Sequence, residues 1–135
     1  MHETMARLRD AVNAHDTSAM LELIAPEYRS EQPAHPNRGF SGRDQVHKNW
    51  STLFAGVPDL TVDVLSHLDD GTTAWSEWEF RGHHTDGAVF NERGVVIFGL
   101  GDDGKITWGR LYVEAVEQGG ADIDETMRQT AKVPS

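Results

Sequence analysis

Residues 56–64, Gly-Val-Pro-Asp-Leu-Thr-Val-Asp-Val, constrain the fold most, because the sequence changes there from helical to strand periodicity. Before this stretch, apolar residues recur at the spacing of an amphipathic helix. After it, apolar residues alternate with polar ones or form short runs between turn dipeptides. Helices followed by consecutive antiparallel strands are typical of an α+β domain. The chain has 135 residues, which is enough for one domain with one core.

Three helices are predicted before this change. The first covers residues 3–15, and the second is capped by Asp16 or Thr17 and ended by Pro26. The third begins at Ser41-Gly42-Arg43-Asp44, which resembles a capping box, and stops at Gly56. Its apolar stripe consists of Val46, Trp50, Leu53 and Phe54.

The second half predicts strands at residues 60–64, 73–82, 95–100 and 106–116, and a short earlier strand at 28–32. Asp70-Gly71 and Asp103-Gly104 are hairpin turn signals, because these pairs tolerate positive φ angles. Residues 83–92 are predicted as a connection. The predicted single domain therefore covers residues 1–118, and 119–135 form a polar tail that frays or makes a loose terminal helix.

Composition narrows the possible partners. The formal net charge is -10, and no local basic patch offsets it, so nucleic acid is not an expected partner. No apolar run approaches the roughly 18 residues that a membrane span requires. The chain has no cysteine and no recognisable secretion signal at its start, which favours a cytoplasmic protein without disulfides.

Four short segments, in order along the chain, resemble the SnoaL-like family of the nuclear transport factor 2-like superfamily. They are Gly42-Arg43-Asp44, Val57-Pro58-Asp59-Leu60, Gly82-His83-His84-Thr85 and Asp103-Gly104-Lys105-Ile106. The resemblance extends over about residues 5–116. It implies a cone in which three helices pack on a strongly curved antiparallel sheet around a mostly apolar pocket. It also implies a homodimer formed through the outer face of the sheet, where Trp108, Arg110 and Tyr112 would lie.

Glu77 and Glu79 are the main candidates for chemistry. Epoxide-hydrolase-like relatives point an arginine and an aspartate into the cavity from the positions that these residues resemble. Carboxylates in an apolar pocket have raised pKa values and can exchange protons near neutral pH. In that arrangement Trp78 and Phe80 would lie on the outer face. Alternation alone favours the reverse, with Trp78 and Phe80 in the core and the glutamates toward water. Both readings remain open from the sequence.

Glu31 is the third catalytic candidate, because relatives carry a pocket-facing histidine or asparagine before the corresponding proline. The alternative is a solvated strand end. Leu111 occupies the position that resembles the essential aspartate of hydrolase and cyclase relatives, so the predicted pocket is unusually apolar. The residues predicted to line it are Trp50, Phe54, Trp75, His47, Leu111 and Val113.

These features support more than one function. The first is a cofactor-free acid–base enzyme acting on a hydrophobic oxygenated molecule such as a polyketide or terpenoid, by isomerisation, cyclisation, dehydration or epoxide opening. The second is a non-catalytic protein that binds an apolar small molecule, and the third is an accessory dimerisation domain. No metal site is predicted, because the adjacent His83 and His84 would point to opposite faces of a strand.

Overall fold

A computed structural model describes residues 1–134 and shows an α+β domain. The chain begins with two helices, and its described part ends with the fourth, α4, which has no buried residue. The elements, in chain order, are α1 (Glu3–Asn13), α2 (Thr17–Glu22), β1 (Ile24–Glu31), a 3-10 helix (Pro36–Arg38), β2 (Phe40–Ser41), α3 (Arg43–Gly56), β3 (Thr61–Asp69), β4 (Thr73–His83), β5 (Val89–Leu100), β6 (Ile106–Ala115) and α4 (Ile123–Ala131).

The six strands form one sheet in the order β2-β1-β6-β5-β4-β3. All neighbours are antiparallel except β1 and β6, which are parallel. The sheet is curved, and at Gly94 the strands β5 and β6 approach so closely that an added Cβ would overlap the main chain at Tyr112 on β6. A bulge in β3 between Val64 and Ser66 adds to the curvature. The concave face that results is the one the helices cover.

The helices form for the local reasons that the sequence indicates. Met5, Leu8 and Val12 lie on one side of α1 and are buried, whereas its other side carries charged residues. Asp16 caps α2 by accepting a hydrogen bond of 3.0 Å from the Ala19 amide. The core consists of this side of α1, parts of α2 and α3, and the concave side chains of the sheet.

Several predicted boundaries are wrong. The strand predicted at 28–32 begins at Ile24, and the strand predicted at 60–64 runs on to Asp69. The start of α3 has no capping box, since its N-cap is Gly42 with φ 92° and no side-chain cap. The helix α2 ends at Glu22, and Pro26 lies inside β1. The strand β5 starts at Val89, so much of the predicted connection 83–92 is strand. The differences at β1 and β5 arise because strand pairing extends these elements beyond their local signals.

The hairpin turns are confirmed by positive φ angles of 88° at Gly71 and 80° at Gly104. Beyond the sheet, α4 carries Ile123 and Met127, which are 71% and 55% exposed. Among the helices of residues 1–134, none combines the length and apolar character needed to cross a bilayer.

Candidate functional site

A cavity of about 530 Å³ lies between the helices and the concave face of the sheet. Its size is within the range of small-molecule pockets. Most of the wall is aliphatic and aromatic. The lining includes Leu8, Val12, Met20, Ile24, Tyr28, Phe40, Val46, Trp50, Leu53, Trp78, Phe80, Val96, Phe98, Leu111 and Val113. Polar side chains lie mainly among the more exposed lining residues: Gln32, Arg38, Asn49, Glu92 and Glu114.

The alternation of β4 decides the position of the predicted catalytic pair. Trp78 and Phe80 line the cavity, and Trp78 is only 3% exposed. Glu77 and Glu79 alternate with them and therefore lie on the outer face of the sheet. The prediction that these two glutamates point into the cavity is wrong. The helices cover the aromatic face, because burying its rings removes more apolar surface from water than burying the glutamate face would.

On the outer face Glu79 takes part in a polar network. Its carboxylate lies 3.8 Å from the Arg81 guanidinium and accepts a hydrogen bond of 3.3 Å from the Asn91 amide. Arg81 also forms an ion pair with Asp63 on β3.

The other predicted site residues divide into two groups. Trp50, Leu111 and Val113 line the cavity as expected. The remaining four lie outside its lining. Glu31 borders a separate cleft of about 420 Å³ beside β1 and β2, and Trp75 is on the outer face, 52% exposed.

The other two residues outside the lining, His47 and Phe54, were predicted wrongly because their side chains project from sides of α3 that do not face the sheet. His47 is exposed on this helix. Phe54 stacks on the His15 ring at a centroid distance of 4.2 Å, on the side toward α1 and α2. Val46, Trp50 and Leu53 form the stripe that faces the cavity. The predicted stripe therefore included one residue, Phe54, that does not face the cavity.

Glu92 is a carboxylate of the cavity lining that sequence reasoning missed. It pairs with Phe80 on β4 and Ala115 on β6, and it shares the inner face of β5 with Val96 and Phe98. Partial burial raises the pKa of Glu92, the nearby Glu114 carboxylate raises this pKa further, and Arg38 opposes the shift. Counting back from Phe98 in steps of two residues leads to Glu92, and this alternation could have placed it on the inner face. The prediction of a connection at residues 83–92 concealed the pattern.

Further polar side chains line the same cavity as Glu92. Glu114 comes from the end of β6, and its carboxylate lies 2.6 Å from the His35 imidazole Nε2. Arg38, on the 3-10 helix, donates a hydrogen bond of 3.0 Å to the Gln32 side chain. The exposed part of the lining thus combines two acids and a guanidinium with an otherwise largely apolar wall.

Tyr28 supplies another polar group of the lining. It is 5% exposed, and burial raises the pKa of its hydroxyl, while a side-chain hydrogen bond with Ser30 works against the rise. A Cβ added at Gly109 would come within 2.7 Å of the Tyr28 hydroxyl oxygen, so this strand position must stay small. The hydroxyl therefore remains protonated and can serve as a neutral hydrogen-bond donor.

The family model for the SnoaL-like domain matches residues 5–108. The chain belongs to the SnoaL-like family. No curated protein matches this SnoaL-like chain. Solved structures with the same fold include a nuclear transport factor 2-like protein of unknown function from Exiguobacterium sp. 255-15. It is 22% identical, with a TM-score of 0.69 over 85% of this chain and 99% of that chain.

Two other neighbours have names that refer to chemistry or to a ligand. A candidate SnoaL-like polyketide cyclase from Jannaschia sp. CCS1 is 23% identical, with a TM-score of 0.70 over 98% of this chain and 92% of that chain. RV0760c from Mycobacterium tuberculosis, in complex with estradiol-17beta-hemisuccinate, is 21% identical, with a TM-score of 0.70 over 90% of this chain and 92% of that chain. These similarities establish the cone-shaped fold that the sequence predicted.

Within residues 1–134, no group of three or more histidine, cysteine, aspartate or glutamate side chains is placed to hold an ion. His83 instead pairs with Asp59, with 2.8 Å between the imidazole Nδ1 and the carboxylate Oδ2. The same Asp59 carboxylate accepts the His83 backbone N–H, and these hydrogen bonds lower the pKa of Asp59.

Proposed function

We propose that this SnoaL-like protein binds a hydrophobic oxygenated small molecule and performs acid–base chemistry on it, with Glu92 as the group that exchanges the proton. The observation that carries the proposal is the position of Glu92, a partly buried carboxyl with a raised pKa that lines an otherwise largely apolar cavity. A raised pKa brings proton exchange closer to neutral pH, where such catalysis is most efficient.

The lining suggests how a substrate would be held. Its apolar body would fill the space between Trp50, Trp78 and Leu111, which excludes water from the reacting end. The Tyr28 hydroxyl can donate a hydrogen bond to a carbonyl or hydroxyl oxygen of the ligand. Neutral Glu92 can give a proton to the substrate and, as a carboxylate, recover one from the substrate or from water. Isomerisation, cyclisation, dehydration and epoxide opening all use such a step.

The neighbours agree with a ligand of this class. One is named as a candidate polyketide cyclase, and another was solved with a steroid ester. Polyketides and steroids are both largely apolar molecules with a few oxygen functions. A cavity of about 530 Å³ with polar groups in its exposed lining and at Tyr28 is suited to the same chemical class.

Binding without catalysis is the second candidate function, and a specific observation favours it. Leu111 faces the cavity at the position where the resemblance to cyclases and hydrolases implies an aspartate. The interior therefore lacks that acid, and Glu92 belongs to the more exposed part of the lining. A protein of this kind would retain its ligand through apolar contact alone.

The test incubates the purified protein with a mixed panel of polycyclic ketones, epoxides and steroid-like enones. Mass spectrometry after chromatographic separation of isomers scores both retained compounds and new products. We expect Glu92→Gln to lower turnover by about 10²-fold or more while ligand retention survives. Glu79→Gln is the matched control, because it makes the same chemical change on the outer face, and it should keep wild-type turnover.

A third variant locates the ligand. Leu111→Arg places a long cation in the apolar interior and should abolish both retention and turnover. Wild-type turnover in Glu92→Gln would eliminate the catalytic assignment. Retention by the wild type without any product would establish the binding function instead. Unchanged retention in Leu111→Arg would show that the ligand binds outside this cavity.

We also propose that the outer sheet face associates with a second copy of the chain. Trp75 and Tyr112 lie on this face and are 52% and 44% exposed. Aromatic side chains are enriched in protein interfaces. Light scattering after gel filtration should give a dimer for the wild type and a monomer for Trp75→Glu. The control is Ile123→Glu, which adds the same charge at an exposed apolar position on α4, outside the sheet.

A further inference from the structure

The indole of Trp78 forms part of the cavity wall, but its polar edge is already used inside the domain. The residue lines the cavity and is only 3% exposed. Its Nε1–H donates a hydrogen bond of 2.7 Å to the Ser76 hydroxyl oxygen, and both groups are buried. A buried indole N–H usually has such a partner, because it loses its hydrogen bond to water on burial. The cavity therefore meets the carbon atoms of this ring and not its N–H.

The Ser76 hydroxyl is oriented to accept this bond. Ser76 is 2% exposed and is not among the lining residues of the cavity. It lies two residues before Trp78 on the same face of β4, opposite Val96 on β5. Its hydroxyl donates a longer hydrogen bond, of 3.4 Å, to the Val96 carbonyl oxygen. Since a hydroxyl has one proton to donate, this bond leaves its oxygen lone pairs to accept from Trp78.

The same hydrogen bond fixes the indole within an aromatic part of the wall. The rings of Trp78 and Phe80 are nearly parallel, with 20° between their planes and 6.2 Å between their centroids. The Trp50 ring, from α3, lies 6.3 Å from the Phe80 ring. All three residues line the cavity. Turning the indole so that its N–H pointed into the cavity would break the bond to Ser76 and disturb this arrangement.

We propose that Ser76 is a positioning residue that determines specificity: it withholds the Trp78 N–H from the ligand, so that this wall favours hydrocarbon over an oxygen function. This inference rests on the proposed binding of a hydrophobic oxygenated molecule in the cavity. An oxygen placed against this wall would lose its hydrogen bonds to water without gaining one from the indole. The oxygen functions of the ligand are thereby directed to the Tyr28 hydroxyl and to the more exposed lining residues.

The experiment compares tetralin with α-tetralone, a two-ring hydrocarbon and its ketone, as probes of the cavity. NMR titration gives the affinity of each probe for the wild type and for Ser76→Ala, in which the Trp78 N–H has lost its acceptor and can donate to a ligand oxygen. We expect the ratio of ketone affinity to hydrocarbon affinity to rise about fivefold in Ser76→Ala, because one hydrogen bond has a net effect of this order. Ser66→Ala, the same change at an exposed position on β3, should keep the wild-type ratio.

Two further measurements show whether the effect passes through the indole. Among the four tryptophan indole N–H signals, the one that is missing in Trp78→Phe belongs to Trp78. Its slow hydrogen exchange should be lost in Ser76→Ala, because the N–H then has no protein acceptor. Trp78→Phe keeps an aromatic ring without an N–H, so adding Ser76→Ala to this variant should leave the affinity ratio unchanged.

The outcomes separate this inference from the proposed function. An unchanged ratio in Ser76→Ala, with both probes still bound, would overturn the role of Ser76 alone. An equal rise in the Trp78→Phe background would also overturn it, because no indole N–H is present there at this position. Binding of neither probe to the wild type would contradict the proposed binding of apolar molecules in this cavity, and the inference would fail with it. Wild-type turnover in Glu92→Gln would remove only the catalytic assignment.

Discussion

The two faces of β4 and β5 place the same side chain in opposite situations. Glu79, on the outer face, lies near Arg81 and accepts a hydrogen bond from Asn91. Glu92, on the inner face, borders an apolar cavity and has another acid, Glu114, nearby. A carboxylate near a guanidinium on the outer face contributes mainly to ion pairing. Partial desolvation of a carboxyl raises its pKa and so favours proton exchange nearer neutral pH. The environment rather than the residue type separates the candidate catalyst from the structural acid.

The largest effect should come from the two tryptophans of β4, which lie on opposite faces. Trp78→Ala removes a side chain that is 3% exposed and should lower the free energy of unfolding by about 3–5 kcal/mol. Trp75→Ala removes one that is 52% exposed and should cost less than about 1 kcal/mol. Urea denaturation followed by circular dichroism measures both. Equal losses would mean that the two faces are not buried as described.

The next effect concerns the close approach of β5 and β6 at Gly94. Gly94→Ala introduces a Cβ that overlaps the β6 main chain at Tyr112, so the strands must separate or flatten. We expect a loss of about 1–3 kcal/mol in the same denaturation experiment. Gly119→Ala is the control, since an added Cβ there meets nothing within 4 Å. A neutral Gly94→Ala would show that the curvature does not depend on this close approach.

A smaller effect compares the pH dependence contributed by Glu92 with that contributed by Asp59. The folded-state pKa of Glu92 is raised above 4.5, so the folded state binds the proton more tightly than the unfolded state. Its contribution to stability is present below 4.5 and is lost as pH rises through the folded pKa. The pKa of Asp59 is lowered from 3.8, so its contribution is present above that value and is lost as pH falls.

Stability should therefore be measured against pH in two matched amide variants. Glu92→Gln should flatten the decline on the side above pH 4.5, and Asp59→Asn should flatten the decline below 3.8. Each variant should leave the other side of the profile as it is in the wild type. A profile in which Glu92→Gln changes only the acidic side would contradict the desolvated environment of this carboxyl.

The smallest effect is expected for the outer polar network. Glu79→Gln should change the free energy of unfolding by less than about 1 kcal/mol, because surface ion pairs contribute little. The loss should diminish further in high salt, which screens exposed charges. The Glu79 side chain is 18% exposed and its partner Arg81 is 55% exposed, so a large loss that is insensitive to salt would show that the whole pair is shielded from solvent, for example by a second copy of the chain.

Local patterns were sufficient for much of the fold. The helical stripe of α3 and the turn glycines Gly71 and Gly104 were predicted from sequence, because each depends on residues close together in the chain. The SnoaL-like family was likewise recognised from short ordered segments. Boundaries that depend on distant partners were missed, such as the start of β5 at Val89, which pairs with His83 on β4.

The catalytic candidates show the same division more sharply. The sequence determined that Trp78 and Phe80 share one face of β4 and that Glu77 and Glu79 share the other, because strand alternation is local. Only the tertiary structure decided which face the helices cover, and that choice rests on the apolar area buried by the whole domain. Only the tertiary structure also brought Arg38 and Glu114 to Glu92, from segments far apart in the chain. A pKa depends on such neighbours, and a local pattern does not contain them.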